Sequence, residues 1–266
     1  MKSRITHTYL NIISLDNLLL AWQEFIKNKR GKRDVQEFAR ELMDNIILLH
    51  QDLANFTYVH SGYIAFNISD PKPRNIHKAS VRDRLLHHAI YRQLYPFFDR
   101  TFVADSYSCR NNKGTHKAMN RFRNMAFKVS KNNTKNCWVL KCDIKKFFAN
   151  IDHKVLKNIL FDYILDKKII WLLNKVVDSF SVVPGKGLPL GNLTSQLFVN
   201  IYMNEFDQFI KHKLKQKYYI RYADDFIFLS SNRKDLIDII KPINDFLKER
   251  LFLTIHPKKL YLSTLA

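Results

Sequence analysis

The chain is poor in cysteine and in acidic residues, and it has no long apolar run. Only three cysteines occur in 266 residues, and Cys109, Cys137 and Cys142 lack the spacing of zinc ligands or of a disulfide framework. The histidines show no ligand-like clustering beyond His87 and His88. No stretch approaches the roughly 20 apolar residues of a spanning helix, and the first residues lack the apolar core of a signal peptide. These absences predict a cytoplasmic protein without membrane association.

The excess of basic side chains is the main compositional signal. Lys and Arg number 44 against 24 Asp and Glu, which gives a formal net charge of +20. Such an imbalance favours a polyanionic partner, because phosphate contacts release condensed counterions. The hydrophobic content of 46% is that of a globular chain, and the length allows a core in one or two lobes. The composition therefore predicts a folded protein that binds nucleic acid.

Two adjacent carboxylates, Asp224 and Asp225, lie between apolar runs at residues 218–220 and 226–229. This pattern predicts a β-hairpin with both carboxylates at its tip. The paired charges would repel each other there unless a cation bound them. A third carboxylate, Asp143, ends another apolar run, although a lone Asp at a strand end is more often a turn or cap residue. Three Asp on adjacent strands would suit Mg²⁺, which prefers oxygen ligands.

Three motifs resemble those of reverse transcriptases in order and spacing. Residues 143–153 (DIKKFFANIDH) look like their first catalytic motif, residues 187–196 (GLPLGNLTSQ) like the loop and helix beside the nucleotide, and residues 222–225 (YADD) like the catalytic hairpin. The resemblance extends from about Leu18 to Leu262.

The resemblance implies an α+β fold, that of a right-hand polymerase with fingers and an antiparallel palm sheet. We expect residues 1–60 to form an N-terminal helical extension, residues 61–135 the fingers, and residues 136–266 the palm, with fingers elements interleaved. The family continues with a primer-grip hairpin and a helical thumb. Nothing after Leu262 can supply either, so the thumb is expected to be absent.

The resemblance further implies an RNA-directed DNA polymerase, a nucleotidyltransferase that extends a primer into cDNA with deoxynucleoside triphosphates on a template RNA. Asp143, Asp224 and Asp225 would hold two Mg²⁺ ions, which in pairs can activate a hydroxyl and stabilise a leaving pyrophosphate. Lys259 aligns with a lysine that is proposed to assist departure of pyrophosphate. A solvent-exposed lysine is the alternative interpretation of Lys259.

Five other residues are expected to contact the substrates. Phe148 matches the family's steric gate against the ribose 2′-hydroxyl. Lys72 and Arg74 follow a proline-restricted turn and would reach the triphosphate, and a spacing shorter than the family's leaves open which of the two binds it. Gly191 would let a base or sugar approach the backbone. Gln196 would lie in the first turn of a helix, near the template or the nucleotide.

Most reverse transcriptases carry Ser-Pro where this chain has Ser195 and Gln196. The pattern from Leu190 to Gln196 is similar to that of diversity-generating retroelements, as are residues 83–88 and 105–116. This likeness implies error-prone copying, with mutation directed at template adenines, and a small basic accessory protein as partner. Two alternatives stay open: a group II intron-like or defence-associated bacterial reverse transcriptase, and a non-catalytic, truncated nucleic-acid-binding remnant.

Apolar spacing and cap residues predict the elements around these motifs. They predict one helix over residues 35–53, a strand over residues 63–68 followed by a break, a helix capped by Ser80 and Asp83, a helix capped by Thr115 with a basic face available to phosphates, and a strand over residues 251–260 with a basic end.

Overall fold

The computed structural model describes residues 4–69 and 73–265. The chain forms two compact units: unit 1, built from residues 1–100 and 153–198, and unit 2, built from residues 101–152 and 199–266. Helices and antiparallel strands occur together, so the expected α+β class is confirmed.

The helices, in chain order, are α1 (Tyr9–Ile13), α2 (Leu15–Phe25), α3 (Arg33–Arg40), α4 (Leu42–Ala54), α5 (Val81–Thr101), α6 (Thr115–Val129), α7 (Phe147–Asn150), α8 (His153–Tyr163), α9 (Lys167–Asp178), α10 (Leu193–Gln208), α11 (Arg233–Asp238) and α12 (Ile240–Arg250). A π-helical turn spans Phe209–Lys213, and a 3₁₀ turn spans Pro257–Lys259. The strands are β1 (Tyr63–Ser69), β2 (Pro73–Ala79), β3 (Trp138–Asp143), β4 (Tyr219–Tyr222), β5 (Asp225–Ser230) and β6 (Tyr261–Thr264).

Short helices open unit 1, and they bury their apolar stripes against one another. The single helix expected over residues 35–53 is wrong, because Glu41 (φ −118°, ψ 42°) ends α3 and precedes α4. The break is one residue long and the apolar spacing continues through it, so spacing alone could not reveal it. In the part of the chain that the structure describes, no helix is long and apolar enough to cross a membrane.

The strand expected at residues 63–68 is confirmed as β1, and it pairs antiparallel with β2, which was expected to be a break. Phe66 lies opposite Ile76, and Ile68 lies opposite Arg74. Most residues of β2 are polar or exposed. The strand is therefore defined by its backbone hydrogen bonds to β1, and its sequence has no alternation of apolar residues that would predict it. Arg74 is therefore on a strand, and Lys72 lies outside the described residues.

Ser80 caps α5 as expected. Its hydroxyl accepts a hydrogen bond from Asp83 N (3.1 Å) and donates to Asp83 Oδ2 (2.6 Å). Tyr58 donates its hydroxyl proton to the other oxygen, Oδ1, at 2.7 Å. Asp83 is fully buried, so these bonds satisfy a carboxylate that the interior would otherwise destabilise, and its role is structural.

The sheet of unit 2 has the order β4-β5-β3-β6 with antiparallel pairing throughout. Met125 and Val129 of α6 pack in one buried cluster with Ile220 of β4 and Leu229 of β5. This core fixes the register of the strands, and the register decides which residues meet where β3 ends and β5 begins.

Helix α6 is capped by Gly114 (φ 107°), and the cap expected at Thr115 is wrong by one residue. Glycine adopts this backbone conformation without the steric penalty that a side chain would meet. Thr115 is the first helical residue, and its hydroxyl donates to the Tyr222 hydroxyl at 3.1 Å. The start of α6 is thereby connected to the last residue of β4.

The outer face of α6 is basic. Lys117, Arg123 and Lys128 are exposed there, whereas Arg121 donates to the carboxylate of Asp105 at 2.8 Å. Residues 106–142 contain no Asp or Glu. This face therefore carries exposed positive charge that no acidic residue of the same segment neutralises.

The strand expected over residues 251–260 is wrong. Residues 257–259 form a 3₁₀ turn, and the strand that pairs with β3 is β6, directly after it. Pro257 has no backbone N–H and a fixed φ, and the His256 side chain accepts a hydrogen bond from Lys258 N at 3.2 Å. These two features favour a turn over an extended chain.

Candidate active site

The end of β3 meets the start of β5, and two of the predicted carboxylates lie at this point. Asp143, the last residue of β3, is paired across the sheet with Asp225, the first residue of β5. Like charges directly opposite each other on neighbouring strands are destabilising. The pairing therefore creates a position that favours a bound cation.

Asp224 lies in the two-residue turn that joins β4 to β5. Tyr222 pairs with Asp225, which leaves Ala223 and Asp224 as the turn residues, and Ala223 has a left-handed backbone (φ 55°). The expectation that both acidic residues occupy the hairpin tip is wrong for Asp225, because the ladder between β4 and β5 extends to it. The separate ladder between β3 and β5 places Asp225 opposite Asp143.

The three carboxylates affect one another's ionisation. Burial raises the pKa of Asp224, and the charges of Asp143 and Asp225 raise it further, against the opposing effect of Lys259. Lys259 Nζ lies 2.7 Å from Asp143 Oδ2, and this hydrogen bond raises the pKa of Lys259. Asp143, Asp224, Asp225 and Lys259 therefore form one cluster of interacting charges.

Asp143, Asp224 and Asp225 offer carboxylate oxygens, the type of ligand that Mg²⁺ prefers. Within residues 4–69 and 73–265, no group of three or more His, Cys, Asp or Glu side chains is arranged to hold a metal ion. Lys259 occupies one of the oxygens of Asp143. A divalent ion at Asp143, Asp224 and Asp225 would therefore compete with Lys259 for that carboxylate.

Phe148 lies on α7, soon after β3. Lys146 has a left-handed backbone (φ 46°, ψ 48°) and precedes the helix. Phe147 is 3% exposed, whereas Phe148 is half-buried, and the two rings contact edge to face with centroids 5.6 Å apart. Phe147 belongs to the core, whereas part of the Phe148 side chain is exposed.

In unit 1, Gly191 and Gln196 line one cavity of about 360 Å³. Gly191 has φ 98°, and a Cβ there would lie 2.8 Å from Ile76 Cγ2. The loop is also bonded to β2, since His77 N donates to Leu190 O at 3.1 Å. Close approach of a protein side chain therefore requires glycine here. Gln196 lies in the first turn of α10, as expected.

The walls of this cavity include side chains that the sequence analysis did not single out. Phe66 and Ile76 come from the β1–β2 hairpin, and Lys29, Lys78 and Arg84 contribute positive charge. They were missed because the sequence did not predict β2. Once residues 73–79 form a strand, alternate residues such as Ile76 and Lys78 lie on the same face. The combination of apolar and cationic walls suits a base stacked beside its phosphate.

Two histidines of α5 also line the cavity, and both are neutral at pH 7. Burial lowers the pKa of His87 to about 3, and burial together with the charges of Lys29 and Arg84 lowers the pKa of His88 to about 4. The His87 and His60 Nε2 atoms lie 3.2 Å apart. Among the described residues, none provides a hydrogen-bond partner for His87 Nδ1.

Comparison with known proteins identifies the family. The model of the family described as reverse transcriptase (RNA-dependent DNA polymerase) matches residues 69–264, a range that contains the three carboxylates and the 187–196 loop. The chain belongs to the reverse transcriptase family. The resemblance drawn from the motifs is thereby confirmed at the level of the family, and the subfamily stays a prediction.

Several relatives show how this chain compares with longer proteins. Protein YkfC of Escherichia coli (strain K12) is 24% identical over 65% of this chain and 55% of its own length. The group II intron-encoded protein LtrA of Lactococcus lactis subsp. cremoris is 26% identical over 98% of this chain and 45% of its own length. The chain thus spans about half the length of these relatives.

A solved structure supports the fold. The apo telomerase from Candida tropicalis, truncated from the C-terminal domain, matches with a TM-score of 0.54 and 16% identity, over 79% of this chain and 51% of that one. At this identity the likeness concerns the fold alone, and it agrees with the α+β polymerase architecture expected from the motifs.

Proposed function

We propose that this chain is an RNA-directed DNA polymerase that extends a primer along a template RNA. The observation that carries the proposal is the pairing of Asp143 with Asp225 beside the turn residue Asp224, within the range that the family model matches. Unit 2, with its antiparallel sheet, would be the palm, and unit 1 would supply the fingers.

In this proposal Asp143, Asp224 and Asp225 hold two Mg²⁺ ions. Bound metal would supply activation of the primer 3′-hydroxyl and neutralisation of the charge that develops on the phosphates. Lys259 is positioned beside Asp143 and carries a proton that a leaving pyrophosphate could accept. Phe148 limits the space beside the sugar, which disfavours a ribose 2′-hydroxyl.

Unit 1 would bind the nucleic acid and the incoming nucleotide. The cavity lined by Gly191 and Gln196 offers apolar walls for a base and nearby cations for its phosphate. Arg74, exposed on β2, and Lys72 would contact the triphosphate. Template RNA, primer, cDNA and deoxynucleoside triphosphates are the partners that follow.

The test compares Asp224→Asn with Asp238→Asn in single-nucleotide extension on an RNA template. Both substitutions remove one negative charge from unit 2, and Asp238 is exposed on α11, away from the paired strand ends. We expect Asp224→Asn to abolish Mg²⁺-dependent incorporation and to leave RNA affinity within about twofold, because basic residues supply most of that affinity. Wild-type extension by Asp224→Asn would contradict the assignment.

A narrower proposal is that the polymerase belongs to a diversity-generating retroelement and copies template adenines with many errors. The support is the segment from Leu190 to Gln196, in which an amide stands where most reverse transcriptases have proline. Glutamine offers a donor and an acceptor near the template, whereas proline would stiffen the start of α10 and would remove the backbone N–H of position 196, which donates to Asn192 O at 3.3 Å. A small basic accessory protein would then be a partner.

Gln196→Pro tests this narrower proposal. Proline at position 196 would remove one hydrogen bond at the start of α10, from Gln196 N to Asn192 O, so thermal unfolding of the variant is measured beside its error rate. We expect fewer misincorporations opposite template adenine, measured by sequencing cDNA, with unchanged error rates at the other bases. An equal adenine error rate in both proteins would refute the narrower proposal.

A group II intron-like reverse transcriptase is the second candidate. The support is the similarity to the group II intron-encoded protein LtrA along 98% of this chain. The cDNA sequences also separate the two candidates, because faithful copying of adenine by the unaltered chain would favour the intron-like function.

A further inference from the structure

Arg221 and Asp207 form a buried ion pair next to the candidate active site. Arg221 lies on β4 immediately before Tyr222 and is 1% exposed, and Asp207 on α10 is 0% exposed. The pair is bidentate: Arg221 Nε lies 2.8 Å from Asp207 Oδ1, and Nη2 lies 2.7 Å from Oδ2. Burial of two charges carries a desolvation cost that an apolar pair of similar volume would avoid. Stability alone therefore does not explain the pair.

The remaining donors of the guanidinium point to another purpose. Arg221 Nη1 donates to the backbone oxygen of Ala223 at 3.1 Å and to Asn200 Oδ1 at 3.3 Å. Arg221 Nη2 also donates to Ser106 Oγ at 3.1 Å. The guanidinium group is thus held by the side chains of Asp207, Asn200 and Ser106, and its Nη1 atom binds the main chain of the turn between β4 and β5.

The bond to Ala223 acts on a turn that is not relaxed. Ala223 has φ 55°, a left-handed conformation that residues with a Cβ disfavour. Its carbonyl is the group that immediately precedes Asp224. By holding that carbonyl, the guanidinium restricts the backbone rotations that set the direction of the Asp224 side chain.

The other side of β4 is also held. Arg221 N donates to Asp105 O at 2.9 Å, and Tyr107 N donates to Arg221 O at 3.0 Å. A short parallel bridge at Ser106 therefore covers the free edge of β4. The segment around Asp105, which was noted only for its likeness to a subfamily, has this structural function in unit 2.

We propose that Arg221 is a positioning residue for Asp224, held in place by Asp207. Asp207 neutralises the guanidinium, so the effect on Asp224 is one of geometry and not of net charge. The inference rests on the proposed polymerase function, because it gives Asp224 a catalytic role. It adds a residue that touches neither substrate nor metal.

Two variants test the inference. Arg221→Lys keeps the positive charge, but an ammonium group cannot bind both oxygens of Asp207 and the Ala223 carbonyl together. Arg221→Met combined with Asp207→Leu removes both charges, so no unpaired charge is left in the core. Tyr202→Phe is the control: it deletes a buried hydrogen bond from Tyr202 to Leu251 O (2.6 Å) in the same unit and leaves the turn untouched.

The readouts are Mn²⁺ affinity by electron paramagnetic resonance, amide exchange of residues 222–225, RNA affinity, and kcat and KM for nucleotide addition. Both Arg221 variants should bind Mn²⁺ about tenfold more weakly and exchange these amides about tenfold faster, because the turn is no longer held. They should also lose about tenfold in kcat, less than the roughly 100-fold that a 1 Å misplacement can cost. The KM for the nucleotide and the RNA affinity should stay within about twofold. Tyr202→Phe should lower only the midpoint of thermal unfolding.

Several outcomes would overturn the positioning role. Folded Arg221 variants with wild-type Mn²⁺ affinity and wild-type amide exchange would do so, as would failure of both to fold, which would make the pair a folding requirement. Mn²⁺ binding and amide exchange are measured on the protein without substrate. An inactive wild-type chain would therefore refute the proposed function, whereas the measurements on the turn would still show whether Arg221 positions Asp224.

Discussion

Replacement of Gly191 by alanine should destabilise unit 1. Gly191 has φ 98°, and the added Cβ would lie 2.8 Å from Ile76 Cγ2. A left-handed residue with a Cβ costs about 1–2 kcal/mol, and overpacking of a well-filled site costs about 1–3 kcal/mol. We therefore expect the free energy of unfolding of unit 1 to fall by about 2–5 kcal/mol.

A double-mutant cycle separates the two causes. Ile76→Ala removes the Cγ2 atom, so in that background Gly191→Ala should cost only its backbone part. The difference, which is the steric part, should appear as a coupling of about 1–3 kcal/mol between the two positions. Gly62→Ala is a matched control, because its φ is not left-handed and its Cβ would have no heavy atom of the described residues within 4 Å.

Urea unfolding of the four proteins in the cycle, followed by amide exchange of residues 73–79, measures these free energies within unit 1. Exchange in β3 and β5 provides an internal reference, because those strands belong to unit 2. A loss below about 0.5 kcal/mol, the size of an ordinary surface substitution, would refute the packing of the 187–196 loop on β2. Additive effects of Gly191→Ala and Ile76→Ala would refute the steric part.

Phe148→Ala should reduce the preference for deoxynucleotides over ribonucleotides in competition assays, and an unchanged preference would place the gate elsewhere. The pKa of His87 is about 3 in the folded chain and about 6.5 when unfolded. Unfolding therefore takes up a proton below pH 6.5, and stability falls by about 1.4 kcal/mol per pH unit towards pH 3; His87→Gln should flatten this dependence in urea titrations at several pH values. Alanine at Lys117, Arg123 and Lys128 together should lower the slope of log affinity against log salt for single-stranded RNA by about 2; an unchanged slope would exclude phosphate contacts at the outer face of α6.

The sequence by itself determined the features that depend on local pattern. The apolar run that ends at Asp143 placed this residue at the end of β3, and flanking apolar runs placed Asp224 in a hairpin, because short apolar runs bounded by polar breaks are typical of strands. The +20 charge and the motifs from residue 143 to residue 225 pointed to the reverse transcriptase family. The helical spacing of apolar residues predicted α5, α6 and α10, because residues three and four positions apart lie on the same face of a helix.

Local pattern failed where short or polar elements depend on a partner. β2 has little apolar alternation and exists through its ladder to β1. The break at Glu41 keeps the apolar spacing of the helices on either side of it. The 3₁₀ turn at Pro257–Lys259 replaced an expected strand because a proline and one side-chain hydrogen bond outweighed the apolar residues before it.

Only the tertiary structure decided the contacts that give these residues their chemistry. The register of β3 and β5 brought Asp143 opposite Asp225, and the 3₁₀ turn brought Lys259 to 2.7 Å from Asp143. The side chain of Ile76 leaves no room for a Cβ at position 191, which explains why glycine occupies it. The sequence shows a basic residue before the hairpin, but it does not show that Arg221 is buried against Asp207. Each of these contacts joins residues far apart in the chain, and the packing of whole elements sets their distances, so no local pattern encodes them.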